Sequence, residues 1–309
     1  MKKISKSLLL CSIALSNCLW SLAQKPVKLF NELGLTGNVK MVAERTFEAL
    51  DNFGKPEKGD RSNNNGDYTF LPNGDIAEQN IYNQNGSLRT RHVYIYDGTG
   101  RLTEQNLYNP GGPLRIRYRY KYNSGGLLTE QRSFKPDGSM FAKYVNDYDK
   151  QGNLIKLSSY NHKNELEEKT VYTYDSARNQ TGWQSYDADS SVVMKAAYEY
   201  NLFGNLIEEN LYDAEGKLEK KSLMIYDVNA RVSTLVEYAG VDLMVKTVQY
   251  KYDAQNNITD EIWYDKDNNI LDHYTNKYSY DKKKNWTKKM AYRNQVPFSI
   301  TERELTYFK

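Results

Sequence analysis

Beyond its first 23 residues this sequence has no cysteine, because Cys11 and Cys18 both lie in the leader. That excludes disulfide stapling and thiolate zinc sites from the rest of the chain. Histidine is scarce as well: only His92, His162 and His273 occur, with no short ligand spacing between them. No metal and no cofactor are therefore expected. Acidic residues are missing from the leader, so Lys2, Lys3 and Lys6 account for the whole formal charge of +3. The remainder holds 39 residues of each sign, which excludes the basic footprint of a nucleic-acid binder. There is no Gly-x-Ser-x-Gly elbow and no phosphate-cradling glycine loop. Long apolar runs are lacking too, so no transmembrane span is expected in the mature chain.

What is present starts with an address. Residues 1–23 read as a secretory signal peptide: a lysine-rich start, a short apolar run from Leu8 to Leu15, and Ser21-Leu22-Ala23 before the cut. The rival reading makes Cys18 a lipid anchor, since Leu15-Ser16-Asn17-Cys18 resembles a bacterial lipobox. Either way the chain is expected to be exported to the periplasm, the cell surface or the medium. Mean hydropathy is low at −0.79, yet 13% of residues are aromatic, far too many for a solvated tail.

The aromatics are periodic. Tyr96-Asp97, Tyr122-Asn123, Tyr148-Asp149, Tyr174-Asp175, Tyr200-Asn201, Tyr226-Asp227 and Tyr252-Asp253 recur every 26 residues. A second aromatic follows 12 residues after each, as at Tyr108, Phe134, Tyr160, Tyr186, Tyr212, Tyr238 and Tyr264. Each half-unit reads as a strand followed by a tight turn. Gly74, Gly86, Gly100, Gly112, Gly126, Gly138, Gly152, Gly204 and Gly216 stand three residues after the residue that follows the aromatic. This spacing predicts a three-residue hairpin loop ending in a left-handed residue. Asn164, Asn256 and Asn268 replace the glycine in some copies; Arg178, Ser190, Ala230 and Lys284 do so in others, where strain is expected.

Of the 27 tyrosines, 26 carry even numbers. Side chains alternate faces along a strand, and an odd-length loop preserves parity across a hairpin. One dry face would then collect tyrosine and leucine, and a wet face charge and threonine. About 18 strands would form a ribbon roughly 85 Å long if flat, and open sheets of that size curl. The expected fold is an all-β antiparallel meander of tandem 26-residue hairpin repeats, coiled or solenoid-like, with the tyrosine face inward. The repeats span 68–292, behind an N-terminal capping segment (24–67) with a polar loop, and a C-terminal capping strand (293–309) closes the array.

Tyr-x-Tyr-Asp-x-x-Gly-x-Leu-x-Glu, as in Tyr94 to Glu104 and Tyr198 to Glu208, resembles the YD repeats of RHS-type proteins over residues 68–292. That resemblance implies a spiralling β-sheet that encloses a cargo. A weaker likeness is to MORN-like repeats and to aromatic-rich repeats that bind cell-wall glycans.

Two groups of residues are candidates for binding. Glu78, Glu104, Glu130 and Glu208 share one repeat position, with Asp260 in register and Lys156 interrupting. They would either line a groove for a cation or a sugar, or accept tyrosine hydroxyl bonds as scaffold. Trp183, Trp263 and Phe141 carry odd numbers and would place aromatic surface on the charged face, as for glycan stacking or a protein contact. The expected function is a secreted or envelope-associated scaffold that binds a protein or polysaccharide partner without catalysis. An envelope-glycan hydrolase and an RHS-like shell fragment are the alternatives.

Overall fold

The computed structural model describes residues 29–63 and 65–309. The leader, the cut after Ala23 and Cys18 lie outside the described residues. A four-residue helix, α1 (Leu29–Glu32), precedes β1 (Val39–Asn52), β2 (Lys55–Arg61) and β3 (Asn65–Phe70). Short and long strands then alternate: β4 (Ile76–Tyr82), β5 (Leu88–Tyr96), β6 (Leu102–Tyr108), β7 (Leu114–Tyr122), β8 (Leu128–Phe134), β9 (Met140–Tyr148), β10 (Leu154–Tyr160) and β11 (Leu166–Tyr174). The same rhythm continues through β12 (Gln180–Asp187), β13 (Val192–Tyr200), β14 (Leu206–Tyr212), β15 (Leu218–Tyr226) and β16 (Val232–Ala239). It ends with β17 (Leu243–Tyr252), β18 (Ile258–Tyr264), β19 (Ile270–Tyr280), β20 (Trp286–Arg293) and β21 (Val296–Tyr307).

The turns explain the rhythm. Between β5 and β6, the Asp97 amide donates to the Arg101 carbonyl at 2.9 Å and the Gly100 amide returns to the Asp97 carbonyl at 3.0 Å. The Asp97 carboxylate also accepts the amides of Thr99 at 2.9 Å and Arg101 at 3.0 Å. That leaves a three-residue loop whose last member, Gly100, has φ +79°, a conformation an L side chain resists by about 1–2 kcal/mol. Arg178, Ser190, Ala230 and Lys284 occupy the same position with φ between 58° and 69°. Aspartate capping holds these turns in the left-handed form too: the Ala230 amide bonds the Asp227 carbonyl at 3.1 Å, and the Asp227 carboxylate accepts the Arg231 amide at 3.0 Å.

Two features depart from the expected coil. First, the sheet is closed. β1 pairs with β3 on one side (Met41 opposite Thr69) and with β21 on the other (Glu44 opposite Arg303). Twenty strands thus form an antiparallel barrel, and β2 is an extra strand paired to the far end of β1. Closure satisfies both edges that an open array would leave exposed. Buried Asn285 locks the seam, accepting the Thr36 amide at 2.7 Å and donating to the Thr36 carbonyl at 2.9 Å.

Second, the tyrosines do not share one face. Each repeat hairpin from β3 to β21 carries a bulge near the start of its returning strand. Tyr108 faces Leu114 but Leu107 faces Ile116, so Arg115 is the extra residue; Thr103 and Glu167 are extra in the same way. One inserted residue reverses parity. Even numbers on long strands therefore share a face with odd numbers on short ones: Tyr118 lies opposite Gln105 and Ser133. The 26-residue period spans two hairpins, so parity reverses twice and the even numbering survives while the faces alternate.

In a closed ring, side chains converge on the inner wall and diverge on the outer one. Tyr172, Tyr198, Gln131, Thr170 and Ser222 are buried although no second layer covers them, whereas Arg115, Arg119 and Lys121 on the other face are exposed. The first set is the inner wall. α1 packs on it too, with Phe30 and Leu33 against Val42, Phe70 and Leu305 at one mouth. A circular ring of twenty strands is about 30 Å or more across at the backbone, wide enough for an aqueous lumen.

Candidate functional site

Outward, the ring carries ion pairs and cation–π contacts. Glu78 meets Arg91 at 2.7 Å, Glu104 meets Arg119 at 3.3 Å, and Glu208 meets Lys221 at 3.1 Å. Glu130 holds both Arg132 at 2.8 Å and Lys121 at 3.0 Å. The Arg91 bond holds the Glu78 carboxyl below its ordinary range, and the Asn210 amide does the same for Glu208. At Glu130, burial pushes upward, but the bonds from Arg132 and Lys121 outweigh it. The tyrosines that end the short strands stand among these charges. The Lys143 ammonium lies 4.0 Å from the Tyr160 ring centre and Lys195 lies 4.8 Å from Tyr212. The glutamate row is thus the outer ion-pair belt. Phe141, the extra residue of a bulge, is exposed on this outer side.

A lipid-facing belt consists of apolar side chains over strands of about 9–11 residues. The seven-residue β6 and the nine-residue β7 carry Glu, Arg and Lys on the outer face. Among the described residues, no helix is long and apolar enough to cross a membrane.

Inward, the wall divides into two arcs. From β4 to β13 it is almost free of charge. Gln79, Gln105 and Gln131 stand one repeat apart, and each lies opposite a tyrosine of a neighbouring strand: Tyr68, Tyr94 and Tyr120. The Tyr120 hydroxyl donates to the Gln105 amide oxygen at 3.0 Å, and the Gln105 amide nitrogen lies 3.2 Å from Nδ1 of His92. Farther round, the indole N–H of Trp183 donates to the Tyr198 hydroxyl at 2.8 Å, and Leu157, Tyr172, Tyr144 and Trp183 pack together. Burial raises the Tyr94 and Tyr172 phenols to about 12 and also raises Tyr120 and Tyr198. It lowers His92. These groups are neutral near pH 7, and together they present ring faces, amides and hydroxyls without net charge. Of the inner residues on these strands, Glu168 on β11 and Asp187 opposite it at the end of β12 are the acids.

From β14 round to β1 the wall is ionic. Glu237 lies 2.6 Å from Lys220 and 3.0 Å from Lys246. Lys246 in turn lies 4.1 Å from the ring centre of Trp263, whose indole N–H donates to Glu261 at 2.6 Å. Asp272 receives both Nε and an Nη of Arg293, at 2.6 and 2.9 Å, and Arg303 bonds Glu44 at 2.7 Å. Burial raises the Glu209 carboxyl and lowers the Lys289 ammonium. Among the described residues, no group of three His, Cys, Asp or Glu side chains is placed to hold a metal ion.

Trp183 and Trp263 therefore both face the lumen, the first in the neutral arc and the second under a lysine. The residues that sequence reasoning missed are Gln79, Gln105, Gln131, Tyr94, Tyr120 and Tyr198. Their signal was present as glutamine immediately after the glutamate row at the same 26-residue spacing. Without the bulges, it reads as the opposite face.

No family model matches the chain, and no curated protein does. Among solved structures, the chain is similar to a porin-like protein from Bacteroides uniformis ATCC 8492, with 12% identity over 88% of this chain and 99% of that one, at a TM-score of 0.36. It is also similar to a chain of the TcdB2-TccC3-Cdc42 structure, with 12% identity over 84% of this chain and a TM-score of 0.31. A protein with unknown function from Bacteroides fragilis NCTC 9343 gives 15% identity over 56% and 88% of the two chains, at 0.16. This chain spans about a fifth of the TcdB2-TccC3 chain, covering 19% of it. At these TM-scores the likenesses carry no weight for function.

Proposed function

We propose that the chain is an exported, non-catalytic scaffold whose lumen binds a neutral glycan. The observation that carries this reading is the uncharged inner arc from β4 to β13. Aromatic faces stack on the C–H faces of sugars, and amides and phenols pair with their hydroxyls. A phosphate- or carboxylate-bearing polymer would find no free cation there. Catalysis by paired acids would need one carboxyl with a raised pKa beside an ordinary one at a fixed separation. Burial raises the Glu209 carboxyl in the ionic arc, but its acidic neighbour Glu237 is held by Lys220 and Lys246 rather than free to serve as the second acid. Export rests on the leader pattern of residues 1–23. Closure favours enclosure of the ligand, and a polypeptide segment in the same lumen is the second reading.

The test is titration calorimetry of residues 24–309 with soluble neutral polysaccharides (β-glucan, mannan, galactan) and with polygalacturonate. At least one neutral chain should bind, the binding should fall at least tenfold in Tyr120→Ala and Trp183→Ala, and no reducing sugar should be released. Binding of polygalacturonate alone, or sugar release lost on changing one carboxylate, would sink the proposal.

A further inference from the structure

The inner cations of the ionic arc are matched, with one exception. Lys220 and Lys246 hold Glu237, Arg293 holds Asp272, and Arg303 holds Glu44, each at an N–O distance of 3.0 Å or less. Lys289, half-buried on β20, is not matched. It lies opposite Tyr278 on β19 and Thr301 on β21, so it faces the lumen with them. Among the described residues, no carboxylate lies within 4 Å of its ammonium and no acceptor takes its protons. The charges that reach it from farther off are Glu44, Glu261 and Arg303. Of these, Glu44 is held by Arg303, and Glu261 accepts the Trp263 indole N–H. The neighbouring hydroxyls are unevenly used. Tyr278 donates to the Ile258 carbonyl at 3.2 Å. Thr301 and Thr46, opposite each other on β21 and β1, share one bond at 3.1 Å. Two hydroxyl protons serve that single bond, so one is left to donate.

We infer that Lys289 and the Thr46–Thr301 pair form a carboxylate-binding subsite that takes a uronic-acid unit of a glycan. The three residues stand in one row across β20, β21 and β1, with about 4.8 Å between strands. The ammonium can then hold one carboxylate oxygen while the remaining threonine proton goes to the other. A half-buried ammonium without a counter-charge is costly, and an incoming carboxylate supplies that charge. A phosphate dianion fits less well, because Glu44 and Glu261 are near enough to repel its second charge. The Tyr278 ring beside Lys289 packs edge-on against Trp286 at 6.1 Å between centres, and offers aromatic surface to a sugar. The sugar rests on the glycan reading, whereas the carboxylate rests on Lys289 and stands without it.

Titration calorimetry of residues 24–309 with trigalacturonate, inorganic phosphate and an acetylated dipeptide tests it. Trigalacturonate should bind more tightly than either of the others. Lys289→Gln should weaken it roughly tenfold, the loss of one charge-assisted bond, whereas Lys289→Arg should retain most of the affinity. Removing an unmatched ammonium breaks no ion pair, so Lys289→Gln should melt at or above the parent temperature. Lys289→Gln should also leave neutral polysaccharide binding unchanged, and Trp183→Ala should leave trigalacturonate binding unchanged. The glycan reading and this subsite can therefore fail separately. Absence of trigalacturonate binding, equal binding by Lys289→Gln, or tighter binding of phosphate or the dipeptide would each overturn the inference.

Discussion

The neutral and ionic arcs of the inner wall are built on the same strands, turns and bulges, yet they satisfy their buried polar groups by different means. The neutral arc pairs phenol with amide, as Tyr120 does with Gln105. The ionic arc encloses opposite charges, as Glu237 does with Lys220 and Lys246. Neutral pairs remain modest in cost when broken, whereas removing one member of a buried ion network leaves its partners charged and unpaired. The repeat therefore fixes backbone geometry while leaving inner-wall chemistry free to differ.

The widest expected difference comes from deleting one member of each system. Glu237→Ala should destabilise the barrel by about 3 kcal/mol, because it leaves two lysines against the inner wall. Gln131→Ala, in the neutral arc, should cost about 1–2 kcal/mol. Urea unfolding of both variants measures the gap, and equal losses would erase the distinction between the arcs.

Turn changes should run in opposite directions in the two arcs. Gly100→Ala, at φ +79°, should cost about 1 kcal/mol, and Ala230→Gly, at φ 58°, should gain a similar amount. No atom lies within 4 Å of a Cβ placed on Gly100, so its loss would come from the backbone alone. Thermal unfolding of the pair checks whether the turn is one unit shared by both arcs.

A tyrosine stitch should show the same equality. The hydroxyls of Tyr122 and Tyr252 donate to the carbonyls of Leu102 and Val232 at 2.8 and 2.7 Å. The same bond recurs at Tyr96, Tyr174 and Tyr226. Tyr122→Phe and Tyr252→Phe should each cost about 1 kcal/mol, one in each arc; unequal losses would show that the wall chemistry reaches the backbone.

The smallest expected effect is a pH dependence confined to the ionic arc. Burial raises the Glu209 carboxyl, so between the unfolded and the folded value the folded state holds a proton that the unfolded chain has released. Its contribution is fully present below the unfolded pKa and is lost as pH rises through the folded value. Glu209→Gln should therefore raise the melting temperature slightly at pH 7 and leave it unchanged at pH 4. A shift at pH 4 equal to that at pH 7 would remove Glu209 as the source.

Much of this was legible in the residues. The strands, the aspartate-capped turns and the left-handed positions at Gly100 and Ala230 follow from local chemistry that acts within five residues. The lumen-facing set was not legible, because it depends on one extra residue per hairpin. Arg115 and Thr103 look like ordinary alternating positions, and only the cross-strand partners reveal that they are inserted. Numerical parity alone puts Glu104 on the face of the tyrosines and Gln105 on the other for this reason.

The sequence by itself determined the 26-residue period, the antiparallel hairpins and the neutrality of the chain beyond its leader, since each rests on composition or on contacts between neighbours in sequence. Tertiary structure decided that the sheet closes and which side chains look inward. Closure joins Glu44 to Arg303, residues 259 apart in the chain, and no local pattern specifies a partner at that distance. The direction of curvature then turned two alternating faces into a charged exterior and a divided lumen.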